Sequence, residues 1–434
     1  MTGHRQRQIR AMRPRLGFIR EAITSRRAFW ATLRGATWQR NLAVLWIGEL
    51  IAISGFSVTL PFLPYYVQEL GITGLDQVAF WAGLLTTAQS ATMALIAPVW
   101  GMLSDRYGRK IMVTRAMFGG AVIICLMGFV QNVYQLTVLR AIQGMLTGTV
   151  PAAMTLIASS TPSNRRGYAL GMLQTAVYLG STVGPFLGGL IADQLGYRAT
   201  FWVTGVLLLA AGILVALLVK EEFTPSERGR ARMWEGLLLV LRTRALMTLY
   251  AVRMLMGIAA QIVAPMFSLF VQSIAAPDAK VASLAGTIVG VASMTGALST
   301  VFLGRASDRL GSRRILLVCS AASVLLYALM AGTRTPVQLG LLRALAGVPA
   351  GGILAAVNVL QASLAPGGRY GAVYGVNTSL MAAANAVSPM MGAALTANWG
   401  LPSVFLGAAV MYGLGTVVTA LVVPSGRIEA EGEE

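Results

Sequence analysis

The chain has 434 residues, 56% of them hydrophobic and only 12% charged, about half the ~25% of a typical soluble domain. Mean hydropathy is +0.68, with 48 glycines and 21 methionines. So few charges cannot cover a water-soluble particle of this length, and so much apolar surface excludes disorder, which places the chain in a bilayer.

The net charge of +18 invites a nucleic-acid reading, and the placement of the charge argues against it. Arginine outnumbers lysine by 31 to 3, and most arginines sit in short breaks between apolar runs. That is the footprint of topology and anionic lipid headgroups rather than of a phosphate-tracking groove. Cys125 and Cys319 each lie inside an apolar run and give neither a disulfide framework nor a metal spacing, and the single histidine, His4, lies in the N-terminal tail. Histidine catalysis, haem and zinc chemistry are not expected.

Residues 1–40 form a basic N-terminal tail, too arginine-rich and too far from a small-residue cleavage site to be a secretory signal. Ile19, Ile23, Trp30 and Leu33 fit the apolar face of an interfacial helix, with Arg20, Arg26, Arg27 and Arg34 elsewhere; a plain topology-enforcing tail is the alternative.

About 20 apolar residues cross the ~30 Å of hydrocarbon. Twelve stretches qualify: 42–68, 79–103, 111–130, 133–158, 168–192, 199–219, 244–272, 281–303, 314–332, 336–364, 370–393 and 401–423. The expected fold class is an all-α membrane protein. Turn residues fill the short breaks, among them Gly71-Ile72-Thr73-Gly74, Pro162-Ser163-Asn164 and Pro366-Gly367-Gly368. The longer, charged break 220–243 divides two six-span bundles, 41–219 and 244–423, and an acidic tail, 424–434, follows. Twelve spans put both termini on one face, which receives 28 of the cations against three on the other (Arg198, Lys280, Arg334). Short-loop Lys/Arg bias then predicts that the termini are cytoplasmic, with the chain in the cell membrane.

The halves come into register at an offset of 203–204. Gly101, Asp105, Arg106 and Gly108 meet Gly304, Asp308, Arg309 and Gly311, and Arg140-Ala141-x-x-Gly144 meets Arg343-Ala344-x-x-Gly347. Pro61 with Val67-Gln68 meets Pro265 with Val271-Gln272, and Pro185-x-x-Gly188 meets Pro389-x-x-Gly392. Parallel repeats of this kind place a transport path between the halves near the midplane.

Four ionisable residues remain within spans: Glu49, Arg140, Arg253 and Arg343, in spans 1, 4, 7 and 10. Each costs at least ~2.5–3.5 kcal/mol at a helix centre, so a functional role is the default. A structural ion pair is the plain alternative, and a polar cavity lined by these four helices explains the symmetric placement better. At 1.5 Å per residue, Glu49 lies about 12 Å from the cytoplasmic end of span 1 and Arg140 about 10 Å from the outer end of span 4. Protonation of Glu49 would then depend on cavity hydration, on Arg140 and on substrate charge, as proton-coupled exchange requires. Tyr65, Gln143, Gln261, Met266, Asn358, Asn377 and Asn385 are candidates for the rest of the lining.

Two motifs stand out. Gly101-Met-Leu-Ser-Asp105-Arg106-Tyr-Gly108-Arg109-Lys110 joins spans 2 and 3, with Asp105 a candidate acceptor in a cytoplasmic charge latch and Asp308-Arg309 its counterpart. In span 5, Gly171, Gly180, Gly184, Pro185, Gly188 and Gly189 align small residues beside a proline bend, allowing close helix approach.

On these residues the chain resembles the major facilitator superfamily, in particular its twelve-helix drug:proton antiporters. The 101–110 segment is similar to the superfamily's loop 2–3 signature, the 171–189 segment to the antiporter signature, and Arg140-x-x-Gln143-Gly144 to the helix 4 signature whose arginine is implicated in proton transfer. Met145-Leu146-Thr147-Gly148 departs from the pattern that follows it, and Glu49 lies twelve residues before Pro61 rather than nearer. The resemblance covers 40–424 and implies alternating access, with proton entry driving efflux of hydrophobic or cationic compounds. The expected partners are a small-molecule substrate, protons and a bilayer with anionic headgroups, without nucleic acid, metal or cofactor, and with a monomer as the working unit. An anionic-metabolite transporter gripping its substrate with the three arginines competes with this, as does a lipid or lysolipid flippase. An enzyme is not expected, since no nucleophile–base pair, metal cluster or nucleotide-binding loop is visible.

Overall fold

A computed structural model describes residues 37–162, 165–221, 223, 243–364 and 370–422. The interfacial helix expected at residues 19–33, most of the 220–243 linker and the acidic tail lie outside the described residues. So do the side chains of Asp105 and Asp308.

Fifteen α-helices and one 3-10 turn follow one another, with no strand among the described residues. In chain order they are α1 (Thr37–Thr59), α2 (Leu63–Glu69), α3 (Leu75–Tyr107), α4 (Arg109–Met127), α5 (Val133–Leu146), α6 (Thr149–Ser160), α7 (Arg166–Leu195) and α8 (Tyr197–Leu218). The second set is α9 (Arg244–Val263), α10 (Phe267–Ile274), α11 (Val281–Leu310), α12 (Ser312–Met330), α13 (Pro336–Ser363), α14 (Tyr370–Trp399) and α15 (Ser403–Val422). Among the described residues, twelve helical segments are long and apolar enough to cross a membrane. The protein is an all-helical, multi-pass membrane protein, as its composition predicts. Alternate spans return the chain, so the start of α1 and the end of α15 share one face, here the terminal face; the opposite one is the far face.

Three spans are interrupted. α1 gives way at Leu60–Phe62 to a 3-10 turn and then α2, because Pro61 and Pro64 cannot donate to the ladder. α9 ends before Pro265 and α10 resumes at Phe267. Span 4 breaks between α5 and α6 at Thr147-Gly148, where Gly148 has φ +122°. Its repeat partner α13 is continuous.

Small residues set the helix spacing. A Cβ on Gly180 would stand 2.9 Å from Ile53 Cβ, and one on Gly184 would stand 2.5 Å from Ser57 Cβ, so α7 lies directly on α1. In each half the second and fourth spans are clamped alike. Thr92 Oγ1 of α3 donates to Ala141 O of α5 at 2.8 Å, and Thr295 Oγ1 of α11 donates to Ala344 O of α13 at 2.8 Å. Gly144 and Gly347 sit against those same threonines.

The first six and last six spans meet towards the far face. Tyr65 donates its hydroxyl to Ser268 O, Ser268 Oγ donates to Pro61 O, and Gln68 and Gln272 exchange amide hydrogen bonds at 3.1 and 3.2 Å. Asp193 Oδ2, near the end of α7, accepts the backbone N–H of Ser283 in the first turn of α11 at 2.7 Å. Gly286 packs against Pro185 O, and a Cβ on Gly189 would stand 2.7 Å from Ala282 O. Towards the terminal face, by contrast, Gly101, Gly167 and Gly171 would meet nothing within 4 Å.

Candidate functional site: a buried carboxyl and three guanidiniums within the spans

Span 1 starts earlier than its apolar pattern suggests, so Glu49 is twelve residues, about 18 Å at 1.5 Å per residue, into α1. Its neighbour Gly48 packs on Val215 of α8 and Met117 of α4, which turns Glu49 into protein rather than lipid. Glu49 is 0% exposed. Thr149 Oγ1, at the start of α6, donates to Glu49 Oε2 at 3.2 Å, while Oε1 is buried without a hydrogen-bond partner.

Arg140 of α5 is 3% exposed and donates from Nη1 to Gln89 Oε1 of α3 at 2.9 Å and to Gln143 Oε1 at 3.2 Å. Its Nε and Nη2 are buried without partners. Arg343 of α13 donates from Nη1 to the Tyr327 hydroxyl at 2.6 Å and lies 5.4 Å from the Phe267 ring and 5.6 Å from the Tyr327 ring. Such faces attract guanidinium where water is excluded. Tyr327 in turn contacts the Tyr412 ring at 5.2 Å. Arg253 of α9 is half-buried, with Nε unpartnered. No guanidinium lies within the 4.0 Å ion-pair distance of Glu49 among the described residues: the carboxyl is level with Thr149, nine residues further along span 4 than Arg140, and the two charges are not a pair.

The remaining candidates divide. Gln143 is buried under Arg140. Gln261 donates to Asn385 at 3.0 Å and Gln361 donates to Asn377 at 2.9 Å, placing two amide pairs between the last six spans. Tyr65 belongs to the far-face closure, Met266 is fully buried at the α9/α10 break, and Asn358 is exposed. In the 101–110 segment, Gly108 takes φ +101° and ends α3. The backbone N–H groups of Arg109 and Lys110 donate to the two oxygens of Glu221 at 2.9 and 2.8 Å, and the Arg109 guanidinium lies 5.3 Å from the Phe223 ring. Arg106 and Arg309 are exposed at the ends of α3 and α11.

Residues 45–278 and 249–434 match the family described as Major Facilitator Superfamily. The chain belongs to that superfamily. Curated relatives named Multidrug resistance protein MdtG are 38% identical over 370 residues in Escherichia fergusonii (85% of this chain, 91% of the relative) and 38% over 387 residues in Serratia proteamaculans (89% and 92%). Among solved structures, a nucleoside transporter NupG superposes with TM-score 0.71 at 12% identity, covering 88% of this chain and 98% of that one. The human organic anion transporter MFSD10 gives TM-score 0.66 at 19% identity, covering 89% and 100%. At these identities the two structures speak for the fold alone.

Within this superfamily member, sequence reasoning missed Gln89, Thr149 and Tyr327, the direct partners of the charged groups. Gln89 had a signal, as an amide within an apolar span. Thr149 had one too, in the Thr147-Gly148 departure from the helix 4 pattern. The rings around Arg343 had none, because aromatic residues at helical spacing read as packing.

Proposed function

We propose that the protein is a drug-efflux transporter of the cell membrane, exchanging hydrophobic or cationic compounds for protons by alternating access. In this reading the terminal face is cytoplasmic, and bundles 41–219 and 244–423 rock about the central site. The described contacts, dense at the far face, then belong to an inward-facing state, with the Asp105 and Asp308 segments latching the opposite one. The observation that carries the reading is Glu49, fully buried within span 1 with one hydroxyl partner and no counter-ion within 4.0 Å among the described residues. A carboxyl enclosed in this way has its charge governed by whichever proton, water or cation reaches it. The name carried by relatives 38% identical over most of the chain supports drug efflux.

The test is transport in proteoliposomes under an imposed pH gradient, against a panel of dyes and drugs. Glu49→Gln is expected to insert and fold but to lose gradient-driven accumulation. Wild-type concentrative transport by this variant refutes the reading. A second reading, export of organic anions, is favoured by the unpartnered nitrogens on Arg140, Arg253 and Arg343, and the same panel separates it by substrate charge.

A further inference from the structure

Span 4 is broken and its repeat partner is not, and the break lies against the one carboxyl in the middle of a span. α5 ends at Leu146, Thr147 turns extended with ψ −177°, and Gly148 takes φ +122°, a backbone that side-chain-bearing residues rarely adopt. Thr147 Oγ1 and the Trp100 indole N–H bond to the carbonyls of Gln143 and Met145 at 2.8 and 2.6 Å, so the end of α5 is satisfied by other partners. α6 is twelve residues long, and its first residue, Thr149, bonds to Glu49. The positive end of a helix dipole therefore lies beside a buried carboxyl whose second oxygen has no partner.

The internal repeat supplies a control. At the offset of 204, Glu49 corresponds to Arg253; at 203, Gly148 and Thr149 correspond to Gly351 and Gly352. There α13 runs through without interruption. A helix start beside Arg253 would repel it, and where the charge is reversed the break is gone.

Among the described residues, Arg40 of α1 lies nine residues before Glu49 towards the terminal face with Nε and Nη2 unpartnered, and none of the titratable groups on the elements around α1 is bonded to Glu49. α6 has none. On α7, Arg166 and Tyr168 lie at the terminal end, Tyr178 lies near Arg253, and Asp193 holds α11 at the far end. On α8, Arg198 pairs with Glu69 at 3.4 Å beside Tyr197, both at the far face. On α4, Arg115 lies 3.4 Å from the Trp100 ring. On α5, Tyr134 meets the Trp81 ring edge-to-face, and Arg140 bonds to the two glutamines.

We propose that Thr149 is the positioning residue for Glu49: its hydroxyl and the start of α6 hold the ionised carboxyl, and proton uptake loosens α6 from α1. This rests on Glu49 being the proton carrier, and the experiment keeps the two ideas apart. The full-length protein in nanodiscs is titrated by infrared difference spectroscopy, following the protonated-carboxyl band that Glu49→Gln removes. A hydroxyl donor favours the charged form, so its loss lets the carboxyl keep its proton to higher pH. Thr149→Val, which keeps shape and β-branching, is expected to raise the midpoint by about one pH unit, a tenfold change in proton affinity. Thr149→Ser, which keeps the hydroxyl, is expected to restore the wild-type midpoint, a rescue that a merely structural role would not produce. A Glu49 band with the same midpoint in Thr149→Val overturns the assignment of Thr149 alone. A wild-type protein with no band removed by Glu49→Gln overturns the proton-carrier reading and this assignment with it.

Discussion

Removing the Asp193 carboxylate should open the far face. Asp193 accepts the N–H of Ser283, the third residue of α11, at 2.7 Å, and that N–H has no partner within its own helix. A hydrogen bond to a charged group contributes about 1.5–3 kcal/mol, and the dipole of α11 adds about 0.3–1 kcal/mol. Asp193 is only half-buried, so screening reduces the total to about 1–2 kcal/mol, a factor of roughly 5–30 in a two-state population. Asp193→Ala should lose all of this; Asp193→Asn keeps an acceptor and should lose about half. Tyr65, Ser268 and the Gln68–Gln272 pair still hold the face, so closure is weakened and not abolished. Spin labels at Thr73 and Ala276, on the loops before α3 and α11, report the separation by pulsed dipolar spectroscopy. The expected result is a new long-distance population in Asp193→Ala, smaller in Asp193→Asn. An unchanged distribution in Asp193→Ala would show that this bond does not bias the closure.

Further consequences follow for α7 and Arg140. Gly184→Val would force side-chain atoms into α1, where a Cβ already stands 2.5 Å from Ser57 Cβ, and should lower the melting temperature by the equivalent of about 1–3 kcal/mol. Gly171→Ala has open space and should melt as wild type; equal losses in the two would discount helix contact as the reason for the small residues. Arg140→Ala removes the donor shared by Gln89 and Gln143 and should slow transport while leaving the Glu49 infrared midpoint within a few tenths of a pH unit. A rise of a full unit would place Arg140 in the role assigned to Thr149, and a substrate affinity lowered equally at every pH would mark it as an anion-binding group.

The spans were readable in the sequence because burial in lipid demands unbroken apolar length, a one-dimensional property. Their ends were less so: α3 runs to Tyr107 and α11 to Leu310, since helices continue past the hydrocarbon edge through polar residues that the apolar pattern excludes. Pro61 and Pro265 were visible as repeat partners, yet their effect as breaks depends on whether neighbours satisfy the freed backbone. The four intramembrane charges were found because a charge within an apolar run is conspicuous. Their partners were not, because the rotation of one helix against another decides whether Arg140 meets Glu49 or Gln89. Each half surrounds its arginine on the fourth span differently, with amides at Arg140 and rings at Arg343, although the arginines themselves are in register.

The duplicated threonine clamp has a mechanical consequence. In the second half it ties α11 to a helix that continues without a break, with Pro349 five residues past the clamped Ala344. In the first half the clamp grips Ala141, and the chain is hinged only a few residues later. α5 is thereby held to α3, and α6 lies beyond that clamp, on the terminal side of Glu49. The two halves, alike in outline, are then joined unequally: the second through one continuous helix, the first through a helix that breaks just beyond its clamp.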